Sequence, residues 1–122
     1  MYAAIGNPEV ITVLLRNGAD VNARGPDDVT ALMFAALRSN PEVITELIRN
    51  GADVNARSRD GATVLMSAAA SSSNPGVITT LIRSGADVNA RSPNGRRAID
   101  FARGNINLAN TDAFRELNDR SR

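Results

Sequence analysis

The chain has 122 residues and a net charge of +1, which allows one domain or a short repeat array and gives no bulk electrostatic reason to bind nucleic acid or a membrane. Its 14 basic residues are all arginine, and lysine, histidine and cysteine are absent. These absences exclude a Ser-His or Cys-His catalytic pair, a lysine Schiff base, a Cys/His zinc site and a disulfide. No apolar run approaches the roughly 20 residues of a membrane span and no signal peptide opens the sequence, so the cytoplasm is the favoured compartment.

An eight-residue segment recurs along the chain. The segment Asn17–Arg24 returns unchanged at Asn50–Arg57 and with one substitution at Ser84–Arg91, in steps of 33 and 34 residues. A fixed period of this size is typical of repeat arrays. We therefore divide a single domain, 1–122, into a partial first repeat (1–24), a second repeat (25–57), a third repeat (58–91) and a C-terminal capping repeat (92–122).

Each full repeat is predicted to contain a hairpin loop, a first helix, a turn and a second helix. In the second repeat, Thr30 is the predicted N-cap of the first helix. Asn40 and Pro41 predict the start of the second helix, because Asn caps helices and Pro suits their first position. Gly51 supplies the left-handed residue that ends this helix. The same signals recur one repeat later, with Thr63, Asn74, Pro75 and Gly85.

The second helices each carry one apolar face, and the loops before the first helices carry turn signals. Val43, Ile44, Leu47 and Ile48 follow helical spacing, as do Val77, Ile78, Leu81 and Ile82. Asp60-Gly61 and Asn94-Gly95 are hairpin-turn dipeptides, whereas Asp27-Asp28 lacks glycine and predicts a less regular turn. The third repeat is one residue longer between its helices, which favours an elongated turn at Ser71, Ser72 and Ser73.

These motifs resemble the ankyrin repeat over essentially the whole chain. Gly-Ala-Asp-Val-Asn-Ala occurs three times, and the segments Thr30–Met33 and Thr63–Met66 stand where that family usually has Thr-Pro-Leu-His. The resemblance, which is closest to bacterial-type arrays, implies an all-α solenoid of helix-turn-helix repeats joined by short β-hairpin or loop connections. Arg-only basic content is compatible with this source.

The chain departs from the family pattern at the usual histidine. Met33, Met66 and Asp100 occupy that position, so the hydrogen bonds that the histidine makes between repeats are absent. We expect methionine packing and the side chains of Asp20, Asp53 and Asp87 to take their place, with these carboxylates accepting backbone N–H bonds in their turns.

The two ends of the array differ from its centre. The segment 105–122 loses the repeat signals and places Ala113, Phe114 and Leu117 on one face, which predicts a C-terminal cap with a wettable outer surface. The first repeat is incomplete, so we expect it to fray first. Self-association through its exposed residues, Tyr2, Ile5 and Val13, follows as an expectation.

The resemblance implies a concave surface, built from hairpin tips and first helices, that binds another protein. The partner-binding residues expected there are Pro26, Asp27, Val29, Phe34, Leu37, Arg38, Arg57, Arg59, Asp60, Ala62, Ala70, Ser71, Arg91, Pro93, Asn94 and Arg96. Ser67 and Phe101 are expected beside them. Arg24, Arg57 and Arg91 recur as a row. These arginines either meet a partner's carboxylates or phosphates, pair with neighbouring Asp27, Asp28 and Asp60, or simply solubilise the hairpins.

The sequence therefore predicts a non-catalytic protein-protein interaction module. We expect no catalytic residues, no metal, no cofactor, no nucleic acid and no membrane partner, because aromatic residues are scarce and a cation site at Asp27, Asp28 and Asp60 lacks a Gly-framed loop. Two alternatives stay open: a dedicated regulatory or inhibitory subunit of one enzyme, and an engineered ankyrin scaffold.

Overall fold

The computed structural model describes residues 13, 15–38 and 40–121. In this part of the chain six α-helices have defined bounds: α1 Ala31–Leu37, α2 Pro41–Arg49, α3 Val64–Ser71, α4 Pro75–Arg83, α5 Ala98–Ala102 and α6 Asp112–Arg120. Short 3-10 helices cover Pro26–Asp28 and Ile106–Leu108. No β-strand occurs among the described residues, and the one bridge there joins Arg57 to Thr63. The predicted helical repeats are confirmed.

The predicted N-caps begin the helices. The Thr30 hydroxyl accepts a hydrogen bond from the Met33 N–H at 3.4 Å, and Thr63 accepts one from Met66 at 3.2 Å. The Asn40 side chain accepts bonds from the first turn of α2, and Asn74 does the same in α4. These bonds satisfy amide groups that have no partner within the helix.

Helix α5 begins by a different device, because Arg97 stands where the earlier repeats have a capping threonine. Asp100 Oδ2 accepts the Arg97 backbone N–H at 2.9 Å, and Asp100 Oδ1 accepts a bond from Arg103 Nη1 at 3.0 Å. The aspartate in the histidine position thus stabilises the first turn of its own helix.

The helices form two layers around the core. First helices α1, α3 and α5 pack in one row, and second helices α2, α4 and α6 pack in the other. Leu32, Leu65 and Ile99 are buried at equivalent positions of the first row, and Leu47, Leu81 and Leu117 are buried in the second. Met33 and Met66 are also buried, which confirms their packing role.

The extra residue of the third repeat lengthens a helix. Helix α3 has eight residues and α1 has seven, so Ser71 lies in α3 and its assignment to the elongated turn was wrong. The Ser72 N–H donates to the Ala68 carbonyl at 2.8 Å, which extends helical bonding to the end of α3. Ser72 itself is buried, and its hydroxyl lies 3.2 Å from the Asn74 carbonyl oxygen.

Three loops precede the first helices, at residues 25–29, 58–62 and 92–96; we call them the tip loops. In each, the first N–H donates to the last carbonyl, at 2.8, 2.9 and 2.8 Å. Gly61 and Gly95 adopt φ of +84° and +79°, whereas Asp27 and Asp28 both adopt φ of +58° in the first loop. Positive φ is uncommon for residues other than glycine, and the less regular turn predicted there is confirmed.

Candidate functional site

The recurring arginines connect neighbouring tip loops through backbone carbonyls. Arg57 Nη1 donates to Gly61 O at 2.7 Å and to Arg91 O, one repeat onward, at 2.9 Å. Arg24 Nη1 makes the equivalent bonds to Asp28 O at 2.7 Å and Arg57 O at 2.8 Å. We call Arg24, Arg57 and Arg91 the arginine ladder.

The third arginine of the ladder bonds within its own loop, and contact of these arginines with a partner stays a prediction. Arg91 Nη1 donates to Gly95 O at 2.8 Å and completes the series. None of the three guanidinium groups is bonded to a carboxylate of Asp27, Asp28 or Asp60 in the described residues; the acceptors are main-chain oxygens. The structure therefore gives Arg57 and Arg91 a role in holding the tip loops in place.

Asparagines form a second set of bonds between repeats. Asn22 accepts the Asp53 N–H at 2.8 Å and donates to Gly51 O at 3.0 Å. Asn55 accepts the Asp87 N–H at 2.8 Å and donates to Gly85 O at 3.4 Å. The recurrence of this Asn in every copy of the eight-residue segment was the signal that sequence reasoning missed.

The motif aspartates act within their own turns. Asp20, Asp53 and Asp87 each accept the N–H of the residue two positions onward, at 2.9 Å in all three cases. This confirms the expected backbone bonds. The expectation that these side chains replace the histidine between repeats was wrong, because their carboxylates accept only within their own turns, whereas the amides of Asn22 and Asn55 both donate and accept across the repeat boundary.

Asp60 lies where three surface depressions meet, on the side of the array formed by the tip loops and first helices. The first depression, about 440 Å³, is lined by Asp27, Val29, Ser58, Arg59 and Asp60. The second, about 300 Å³, is lined by Asp60, Ala62, Ser92, Pro93, Asn94, Arg96 and Phe101. The third, about 270 Å³, is the central cavity, lined by Leu37, Asp60, Ala62, Met66, Ser67, Ala70, Ser71 and Phe101.

The Asp60 carboxylate is held by its own loop. Its Oδ1 atom accepts hydrogen bonds from the Ser58 hydroxyl and from the Ala62 N–H, the latter at 3.3 Å. The Ser58 bond, followed by the Ala62 bond, lowers the pKa of Asp60 below 3.8. Asp60 is therefore a fixed anion at neutral pH.

Two arginines among the expected partner-binding residues already have partners within the chain. Arg59 Nη1 lies 3.4 Å from Asp27 Oδ1, and the Arg59 N–H donates to Asp27 O at 3.0 Å. The Arg38 guanidinium lies 5.6 Å from the centre of the Phe34 ring, a cation–π arrangement. The ion pair is largely exposed, so it orients the side chains more than it stabilises the fold.

The structure brings most of the expected partner-binding residues to these depressions. A fourth depression, lined by Gly25, Pro26, Asp27, Val29 and Phe34, continues the surface at the first tip loop. Arg57 and Arg91 line none of the four depressions and belong to the ladder, so their contact with a partner stays a prediction. Sequence reasoning missed Ser58 and Ser92, whose shared position at the start of two tip loops was the available signal. It also placed Met66 only in the core.

The repeat geometry agrees with a comparison with known families. The family model for ankyrin repeats (3 copies) matches residues 1–92. The chain belongs to the ankyrin-repeat family. Ankyrin repeats generally mediate protein-protein interaction and are typically non-catalytic. No curated protein matches the chain at a significant level.

Two further observations on this ankyrin array concern metal ligands and membrane spans. Within 13, 15–38 and 40–121, no cluster of three or more His, Cys, Asp or Glu side chains is placed to ligate a metal. In the same ranges no helix has the length and apolarity needed to cross a membrane.

The expected self-association surface is only partly visible in this ankyrin array. Tyr2 and Ile5 lie outside the described residues. Val13 is described, and 56% of it is exposed. Self-association through the first repeat therefore stays a prediction.

Proposed function

We propose that this ankyrin array is a non-catalytic interaction module that binds a partner protein through its concave surface. By concave surface we mean the three tip loops and the exposed sides of α1, α3 and α5. The proposal rests mainly on the central cavity, where residues of α1 and α5 lie on either side of smaller side chains of α3. Leu37 is 50% exposed at its edge, and Phe101 is half-buried there.

The lining of the central cavity suits an apolar protein side chain. The depression has a volume of about 270 Å³ and is mostly apolar. Protein interfaces concentrate their binding energy where one partner inserts an apolar or aromatic side chain into a desolvated depression. Ser67 and Ala70 leave room for such a side chain between Leu37 and Phe101.

The hydrogen bonds between repeats support the proposal because they order the surface before binding. Arg57 connects Gly61 of the second tip loop to the main chain at Arg91, one repeat onward. Asn55 accepts the Asp87 N–H of the neighbouring turn. Binding to an ordered surface avoids part of the entropy that flexible loops lose.

A pair of tryptophan substitutions tests the surface. Ala70→Trp fills the central cavity, whereas Thr45→Trp adds the same bulk to the exposed side of α2, in the other layer. Each variant and the wild type are used to capture proteins from source-cell lysate, with quantification by mass spectrometry. We expect at least one partner that wild type and Thr45→Trp retain and that Ala70→Trp loses. Partners retained equally by both variants would contradict the proposed surface.

A further inference from the structure

We infer that the concave surface selects a partner segment in which an apolar side chain stands next to a basic one. This inference rests on the proposed function and specifies its partner. The apolar side chain enters the central cavity, and the basic side chain pairs with Asp60.

The central cavity carries a single charge. Of the residues that line it, Asp60 alone is ionisable, and the others present aliphatic, aromatic or hydroxyl groups. A partner that fills the cavity with an apolar group therefore brings its neighbouring residue against a carboxylate. An uncharged or acidic residue there leaves that carboxylate without compensation as the interface excludes water.

Asp60 has capacity for one more strong hydrogen bond. Both bonds from its own loop end on Oδ1, and Oδ2 accepts none from another described residue. The bonds to Oδ1 fix the carboxylate in place, so a partner's ammonium or guanidinium meets an oriented acceptor. Charge-assisted bonds of this kind are shorter and stronger than neutral ones.

The cations next to Asp60 in the sequence do not pair with it. Arg59 pairs with Asp27 of the preceding loop, and Arg57 donates to main-chain oxygens. Among the described residues no ion pair involves Asp60. The central tip loop therefore presents a carboxylate without an ion-pair partner beside an apolar cavity, with Arg96 on the side of the second depression.

Arg96 is the residue that would favour an acidic partner segment instead of a basic one. It lines the second depression together with Asp60, and its guanidinium has no acceptor among the described residues. It does not line the central cavity, where the apolar side chain enters. A surface that depends on Arg96 selects an acidic segment instead.

A random dodecapeptide phage library selected against the wild-type chain tests the inference. Enriched peptides are synthesised, and their affinities for wild type, Asp60→Asn and Arg96→Gln are measured by fluorescence anisotropy. We expect enriched peptides to carry Arg or Lys beside an aliphatic or aromatic residue. Asp60→Asn, which keeps the Oδ1 acceptor for the Ser58 and Ala62 bonds, should weaken them about tenfold. Arg96→Gln should change their affinity less than about twofold.

The outcomes separate this inference from the proposed function. Acid-rich peptides that tolerate Asp60→Asn and are lost with Arg96→Gln would overturn the basic preference and leave the concave surface as the binding site. Peptides that bind Ala70→Trp as well as wild type would contradict the concave surface itself. Failure to enrich any peptide over an uncoated support would count against both.

Discussion

Arg57 and Arg91 occupy the same position in successive repeats, and the first donates its Nη1 hydrogen bond to the main-chain oxygen of the second at 2.9 Å. The same nitrogen also donates to Gly61 O at 2.7 Å within the Arg57 loop. One side chain therefore closes a tip loop and fixes its distance from the next repeat. This nitrogen therefore stabilises the position of the second tip loop relative to the next repeat.

Replacing this arginine should destabilise the array. Arg57→Gln removes two charge-assisted bonds, and we expect the free energy of unfolding to fall by about 1 kcal/mol, at the low end for such bonds because the loop is exposed. Arg59→Gln is the matched control, since its exposed ion pair with Asp27 contributes less than about 0.5 kcal/mol. Urea unfolding of both variants measures the difference. An equal loss of unfolding free energy in the two variants would show that the arginine ladder adds no stability beyond that of an exposed ion pair.

Two glycines in equivalent loops should differ in their tolerance of a methyl group. A Cβ atom at Gly61 falls 2.7 Å from Pro93 Cγ, whereas a Cβ at Gly95 meets nothing within 4 Å. Both residues have positive φ, so Gly95→Ala should cost about 1 kcal/mol. Gly61→Ala should cost about 2–3 kcal/mol, because the third tip loop must also move. Thermal and urea unfolding measure both losses of stability. Equal losses in Gly61→Ala and Gly95→Ala would contradict the close packing of these loops.

The buried Asn105 should be a sensitive polar residue between the third repeat and the segment 92–122. Its amide nitrogen donates to Ala69 O and Ser72 O, both at 3.0 Å, and it is 6% exposed. Asn105→Ala removes both of these buried hydrogen bonds, and we expect the free energy of unfolding to fall by about 2–3 kcal/mol.

The exposed neighbour Asn107 provides the control for Asn105. Asn107→Ala keeps the backbone N–H that donates to Asn105 Oδ1, so its effect should stay within about 0.5 kcal/mol. Urea unfolding at neutral pH measures both. A small effect of Asn105→Ala would mean that water reaches the two carbonyls.

Asp100 should make the array sensitive to acid. The hydrogen bond from the Arg97 N–H, aided by the charges of Arg103, Arg97 and Arg91, lowers the pKa of Asp100 below 3.8 in the folded chain. The stability that the ionised Asp100 adds to the folded chain is therefore fully present above the unfolded-state pKa. It is lost as the pH falls through the lower folded-state pKa. Unfolding measured between pH 5 and 2 should show a flatter decline in stability for Asp100→Asn than for wild type. The same decline of stability with falling pH in both proteins would show that Asp100 does not contribute to the acid sensitivity.

Local signals in the sequence predicted the helices because each signal acts within one turn. Thr30 caps α1 and Asn40 caps α2 through N–H groups two or three residues away, so their spacing in the sequence is sufficient. The extra residue of the third repeat was placed wrongly because an exposed Ser71 fits either the last turn of a helix or a loop.

The contacts between repeats depended on distances that the sequence does not contain. The row of arginines was visible, but the acceptors that link one repeat to the next are carbonyls 33 or 34 residues away, brought near by the stacking of repeats. The central cavity likewise arises because Ser67 is smaller than Phe34 and Phe101 at equivalent positions. Its role was implied by the family resemblance, whereas its shape and its single charge required the structure.

Hydrogen-deuterium exchange of the chain, alone and bound to a captured partner, tests the concave surface most directly. We expect slower exchange in the tip loops 58–62 and 92–96 and in the exposed parts of α1 and α3, with little change in α2 and α4. Slower exchange confined to α2, α4 and α6, with the tip loops unchanged, would contradict this expectation and place the partner on the other layer of helices.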